Sequence, residues 1–226
     1  MYQIHTCGKR RWYVDEFLLP SLVLQGIKEE EILIFEDRDQ EGNLEATLKS
    51  FEILPNASGT WHLQDDVVVS RNFAEFTSKN RPEKEILCGF CTKRYQKEGI
   101  KNIGKVKPKD MWMSFPCIYI PNHLAHKFVK WVRELAWKNE TYKKWIDTGK
   151  YDDTLFKVFV TLKYDENYPV TNLKPHLVDH VDFLLGGSLV SPTREVETRA
   201  EYFEDGDLVD ELIFKLSNAS EQKGKV

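Results

Sequence analysis

The chain has 226 residues, with 32 Lys and Arg against 36 Asp and Glu for a formal charge of −4. That length supports one substantial core, and 41% hydrophobic with 12% aromatic residues excludes a disordered chain, a collagen and a coiled coil. No apolar run approaches the ~20 residues that cross a bilayer. The start, Met1-Tyr2-Gln3-Ile4-His5-Thr6, lacks the basic and apolar regions of a signal peptide, so a cytoplasmic location is expected. Cys7, Cys88, Cys91 and Cys117 are too few for a disulfide framework and are expected as free thiols, and the Asn-x-Ser/Thr matches at Asn56, Asn139 and Asn218 mean nothing without export.

Strand-like and helix-like segments alternate through the first two thirds, which predicts an α/β fold. Tyr2 to Thr6 reads as a first strand, and Val14, Leu18 and Leu22 lie at helical spacing before Gly26. Ile32 to Phe35 reads as a second strand, followed by a polar loop from Glu36 to Asn43 and a helix through Leu44, Leu48 and Phe51. A third strand is expected at Trp61-His62-Leu63, running into Gln64-Asp65-Asp66, after which Ser70 is placed to cap a helix bearing Phe73 and Phe76.

Ile86 to Phe90 is a further strand candidate, and residues 93–109 carry seven Lys and Arg against Glu98 alone, a local net of +6 that reads as a mobile basic loop. Cys117 to Ile120 reads as a strand closed by Pro121, with Asn122 capping a helix through Leu124, Phe128, Trp131, Val132 and Leu135. After Gly149, Asp152 and Asp153 precede the apolar residues Leu155, Phe156, Phe159 and Leu162, where carboxylates suit a helix N-terminus. From Tyr168 the pattern breaks into loops, and Ser217 to Val226 reads as a frayed tail.

Adjacent carboxylates leaving an apolar strand place hard oxygen ligands at a carboxyl sheet edge, where open α/β sheets bind ligands. The string from Trp61 to Phe73, centred on Asp65-Asp66, resembles the acidic metal-binding motif of GT-A nucleotide-sugar glycosyltransferases. The resemblance implies one GT-A, Rossmann-like domain over 1–206 with a central mixed sheet flanked by helices, and a partly frayed C-terminal extension at 207–226. It implies an enzyme in which Mn²⁺ or Mg²⁺ bridges the diphosphate of a UDP-sugar, with Asp66 as direct metal ligand and Asp65 near the ribose or behind the metal ligands. Gln64 stands where several members have Glu.

The same resemblance extends to the loop from His5 to Tyr13, where Thr6 and Arg10 would contact base or phosphate, and to Asp37, which would contact the base. The segment Lys174-Pro175-His176-Leu177-Val178-Asp179-His180, with Gly186-Gly187-Ser188 beyond it, looks like the carboxy-terminal segment whose histidine completes the metal site. That assigns His180 to the metal and leaves His176 unassigned. An inverting transferase needs a carboxylate to take the acceptor proton, for which Asp153 is the first candidate and Asp152 the second.

Other readings compete. His176 and His180, at i and i+4, would make a zinc pair if they lay on a helix, although Pro175 and the lack of an intervening Glu oppose this. Cys88-Gly89-Phe90-Cys91 lacks a second ligand pair and reads as structural, and nothing local supports a protease built on Cys7 or Cys117. The basic loop 93–109, with Tyr95, Trp112 and Phe115, suits phosphates and an unstacked base. A small transferase without an anchor is similar to phage enzymes that glycosylate hydroxymethylated pyrimidines in DNA, which implies DNA as acceptor and the host cytoplasm as location. The alternatives are a saccharide, lipid-linked or protein acceptor, or a binding module without catalysis.

Overall fold

The computed structural model describes residues 1–56, 58–90, 115–149, 152–163, 168–186, 199–200 and 202–223. The basic segment 93–109, Trp112, Cys91, Gly187 and Ser188 lie outside these residues. Six strands form the main sheet: β1 (Tyr2–Cys7), β2 (Ile32–Asp37), β3 (Gly59–Gln64), β5 (Ile86–Cys88), β6 (Cys117–Pro121) and β7 (Val170–Asn172), in the order β2-β1-β3-β6-β5-β7. β1 pairs in parallel with β2 and β3, β6 is antiparallel to β3 and β5, and β7 is parallel to β5. Five strands therefore run one way and β6 the other, giving the expected mixed sheet. Two short strands outside it, β4 (Val67–Val69) and β8 (Val178–His180), pair antiparallel.

Alternation along the strands divides the core into two clusters, one on each face. Tyr2, Ile4, Trp61, Leu63, Leu87, Cys117 and Tyr119 join one cluster, while Ile86, Cys88, Ile118, Ile120 and Val170 join the other. The helical run 11–24 (α1), helix α3 (Phe73–Lys79) and helix α7 (Gly206–Lys223) contribute Tyr13, Leu18, Leu22, Phe73, Val209 and Leu212 to the first cluster. Helices α2 (Asn43–Glu52), α4 (Asn122–Glu134) and α6 (Asp152–Val158) contribute Leu44, Phe51, Leu124, Phe128, Leu155 and Phe156 to the second.

Several boundaries differ from the sequence reading. Asn72, not Ser70, precedes α3, and the Ser70 hydroxyl donates to Asn72 Oδ1 at 2.8 Å instead of capping. Asn122 is the first helical residue rather than a cap, because its amide is engaged across the core: its Oδ1 accepts from Thr60 at 2.8 Å and its Nδ2 donates to the Pro55 carbonyl at 2.9 Å. Helix α5 (Glu140–Thr148) is additional; Asn139 caps it by accepting from the Thr141 and Tyr142 backbone N–H groups, and Gly149 ends it in the left-handed conformation. Beyond Tyr168 the chain forms β7, β8 and α7 instead of loops only, and α7 continues to Lys223 past the expected fraying point at Ser217. His180 lies in β8, so the helical zinc-pair reading is overturned.

Candidate functional site

The carboxyl edge of the sheet gathers the ends of β1, β2 and β3, with Cys7 paired to Asp37 at their tips. Asp65 and Asp66 form the turn between β3 and β4, both only 7% exposed. Arg10 follows β1 and enters the same space: its Nη1 lies 3.4 Å from Asp65 Oδ1 and also bonds to Asp66 Oδ2. The Cys7 backbone N–H donates to Asp65 Oδ2 at 3.2 Å.

β8 supplies the fourth group. Its antiparallel register sets Val67 opposite His180, placing His180 Nε2 3.1 Å from Asp66 Oδ1. Asp66 Oδ1 is buried, and the His180 ring is the polar side chain set against it. Val181 N–H donates to the Asp66 carbonyl at 2.8 Å, and Asp182 Oδ1 lies 3.4 Å from His180 Nδ1. Asp182 is absent from the sequence assignment; its spacing of two residues from His180 is the signal that it backs the ring.

Burial and charge oppose one another here. Burial would raise the Asp66 carboxyl, but His180 and Arg10 override it and hold it down to about 2. Asp65 is pushed up to about 6 by burial and by Asp66, against the pull of Arg10. Burial would lower the His180 ring, and Asp66 outweighs it, leaving its pKa raised. The cluster is thus two carboxylates balanced by a guanidinium and an imidazole in a space with little water.

A divalent cation suits part of this donor set. Asp66 Oδ1 and His180 Nε2 are the spacing of neighbouring ligands on one ion, and Mg²⁺-like ions characteristically take one or two side chains with substrate phosphates and water completing the shell. Among the described residues no group of three or more His, Cys, Asp or Glu is disposed to hold a metal by itself. An ion held by Asp66 and His180 leaves positions in its shell for ligand oxygens and water.

Thr6 is buried at the end of β1, with its hydroxyl donating to the Cys7 carbonyl at 3.2 Å and lying beside Asp65. Asp37 ends β2, where its Oδ1 accepts the Glu41 backbone N–H at 3.3 Å. Asp152 and Asp153 begin α6 on the other side of the sheet. Asp152 accepts from Thr47 Oγ1 on α2 at 3.0 Å, and Asp153 accepts the Thr154 backbone N–H at 2.6 Å; neither bonds to the Asp65–Asp66 pair. Burial and the neighbouring Asp153 push Asp152 up to about 7, and burial also raises Asp153. Thr47 was not legible as a site neighbour, because nothing local to α2 announces its long-range partner.

No family model matches the chain, and no curated protein matches it by sequence. Solved structures do. The galactosyltransferase LgtC, solved in complex with donor and acceptor sugar analogues, superposes with a TM-score of 0.53 at 12% identity, covering 100% of both chains. A glycosyltransferase involved in glycosylation of the major capsid of PBCV-1 covers 79% of this chain and 91% of its own at 12% identity, with a TM-score of 0.42. No helix among the described residues is long and apolar enough to cross a membrane. The likeness to LgtC is one of fold, and it agrees with the strand order and helix layers above: the chain has a mixed α/β architecture of the GT-A type.

Proposed function

We propose that the chain is a metal-dependent glycosyltransferase that moves a sugar from a UDP-sugar to a hydroxyl acceptor. The observation that carries this reading is the meeting of Asp66 and His180, remote in sequence, at 3.1 Å on the carboxyl edge of the sheet with Asp65 and Arg10 beside them. Asp66 and His180 would hold Mn²⁺ or Mg²⁺, which neutralises the diphosphate as the glycosidic bond breaks. Thr6 and Arg10 would contact base or phosphate, Asp37 the base, and Asp65 the ribose or the residues behind the metal ligands. Asp153, less buried than Asp152, takes the acceptor proton in a reaction that inverts the anomeric carbon.

For the acceptor, the +6 charge of residues 93–109 supports a hydroxymethylpyrimidine in DNA, with the base extruded or already unpaired. A saccharide acceptor is the second reading, favoured by the acceptor sugar analogue bound to LgtC.

Thermal stability with UDP, with and without Mn²⁺, tests the donor site. Ligand at ~100 times its dissociation constant stabilises the native state by ~2.7 kcal/mol, so a Mn²⁺-dependent rise in Tm is expected with UDP and is lost in Asp66→Ala. Asp153→Asn keeps the rise and loses sugar transfer by about 10²- to 10⁴-fold. No shift with any nucleoside diphosphate would overturn the donor assignment. Transfer to hydroxymethylated DNA but not to saccharides, or the reverse, decides the acceptor.

A further inference from the structure

β7 ends at Asn172, on the same carboxyl edge as Cys7, Asp37 and Gln64. Its register pairs Val170 with Ile86 and Asn172 with Cys88. Val170, Ile86 and Cys88 all belong to the core cluster beneath α2, α4 and α6, and side chains two apart on a strand share a face. Asn172 therefore stands on the face that also carries Asp152 at the start of α6.

At that place an apolar residue would extend the cluster without cost. The chain instead has an amide that is only 5% exposed, and among the described residues neither its Oδ1 nor its Nδ2 has a hydrogen-bond partner. The backbone around it is satisfied, since Leu173 N–H donates to the Cys88 carbonyl at 2.9 Å. A buried polar group left unpaired is destabilising, so each one calls for a partner or a role that offsets the cost.

The amide offers two donors and an acceptor oxygen side by side. A cation would use only the oxygen and an anion only the nitrogen, whereas a sugar hydroxyl both donates and accepts. We propose that Asn172 is a specificity-determining residue that reads hydroxyl groups of a hexose bound at the carboxyl edge, either the sugar of the donor or that of a saccharide acceptor. This rests on the glycosyltransferase reading above and adds the residue that separates a sugar nucleotide, or an acceptor sugar, from the nucleotide alone. Sites built to hydrogen-bond a hydroxyl discriminate strongly because their own polar groups are otherwise left unmet.

The test compares the whole chain with Asn172→Ala and the shape-matched Asn172→Leu. In the donor arm, affinities for UDP, UDP-glucose and UDP-galactose are measured by calorimetry with Mn²⁺. In the acceptor arm, maltose, lactose and cellobiose are added to the UDP and Mn²⁺ complex. The variants are expected to bind UDP within about twofold of the parent while losing about tenfold or more for the UDP-hexose, or for the disaccharide if the acceptor is what Asn172 reads. The Tm of ligand-free Asn172→Leu should hold or rise, because an unmet amide is replaced by an apolar side chain of similar size.

Equal hexose affinities in variant and parent in both arms would overturn the assignment, as would a large drop in Tm that marks the amide as structural. A parent chain that binds UDP but no hexose in either arm would overturn it too. If the parent binds neither UDP nor UDP-hexose, the glycosyltransferase reading fails together with the proposal, and that outcome is distinct from the others.

Discussion

At the scale of single residues, the chain buries charge where an apolar core would be more stable, and each buried group has its own balance. Arg10 lies between Asp65 and Asp66, so loss of its guanidinium would leave two carboxylates facing one another in a space of low dielectric. Among the described residues Asp152 has no cation bonded to it and its side-chain partner is the Thr47 hydroxyl, and burial with Asp153 nearby raises its pKa from an ordinary 3.8 to about 7. Between those two values the unfolded chain has released a proton that the folded chain keeps, so this group makes stability fall as pH rises. Asp65, raised to about 6, acts in the same direction. The buried rings of His5 and His176, lowered to about 4, act oppositely, since their contribution is complete above pH 6.5 and is lost as pH falls. A difference measurement isolates Asp152: Asp152→Asn should gain stability on the parent as pH is raised from 4 to 7, by an amount on the order of a few kcal/mol. Parallel denaturation curves for the two proteins across that range would show that the carboxyl is ionised throughout.

At the scale of elements, the site depends on how β8 is delivered. β8 is three residues long and among the described residues pairs only with β4, so its position is fixed by side chains and by the segment that precedes it. Asp179 accepts from the His180 backbone N–H at 2.9 Å, and from Arg199 Nε and the Ala200 backbone N–H, both at 2.6 Å. Upstream, Leu177 N–H donates to the Gly89 carbonyl at 2.8 Å, tying the start of β8 to the end of β5. Gly89 has no room for a side chain: a Cβ there would lie 2.6 Å from Cys117 Sγ and 3.2 Å from Leu177 Cβ. Cys117 is fully buried and Leu177 nearly so, so relief of the Cys117 contact shifts the Gly89 backbone and with it the Leu177 amide bonded to its carbonyl. Gly89→Ala should therefore destabilise the chain by about 1–3 kcal/mol and weaken the Mn²⁺-dependent response to UDP by moving His180 away from Asp66. An unchanged Tm with an unchanged nucleotide response would show that β8 is held elsewhere. The pattern of residues disclosed β1, β2, β3, β5, β6 and the helices between them, because each carries its own periodicity or apolar run. It did not disclose β4, β7 or β8, which are three residues long and owe their conformation to partners distant in the chain. His180 was legible from a motif; the register that sets it against Asp66 was not.

At the scale of the whole molecule, the two faces of the sheet are closed by different helices, and α7 is one of them. The face beneath α2, α4 and α6 is covered by helices from the middle of the chain. The opposite face is covered by α1 and α3, and by α7, which returns from the C-terminal end to place Val209 and Leu212 in the cluster at 0% and 5% exposure. Arg71 anchors the entry to α7 through Asp205 at 2.8 Å and Asp207 at 2.6 Å, although exposed pairs of this kind contribute little alone. The sequence reading treated 207–226 as a partly frayed extension, and the helix there buries a stripe through Val209 and Leu212 while leaving Phe214 exposed. The two descriptions predict different energies. If α7 completes the core, Leu212→Ala lowers stability by about 2–5 kcal/mol, whereas Phe214→Ala, at a position 68% exposed, stays within about 0.5 kcal/mol of the parent. If the segment is an extension, both substitutions are silent and removal of residues 206–226 leaves the denaturation midpoint where it was. Urea denaturation of the two point variants separates these cases. A loss confined to Leu212 places α7 within the cooperative unit that carries the site, since Val67 to Val69, the strand that positions His180, lies in the same cluster.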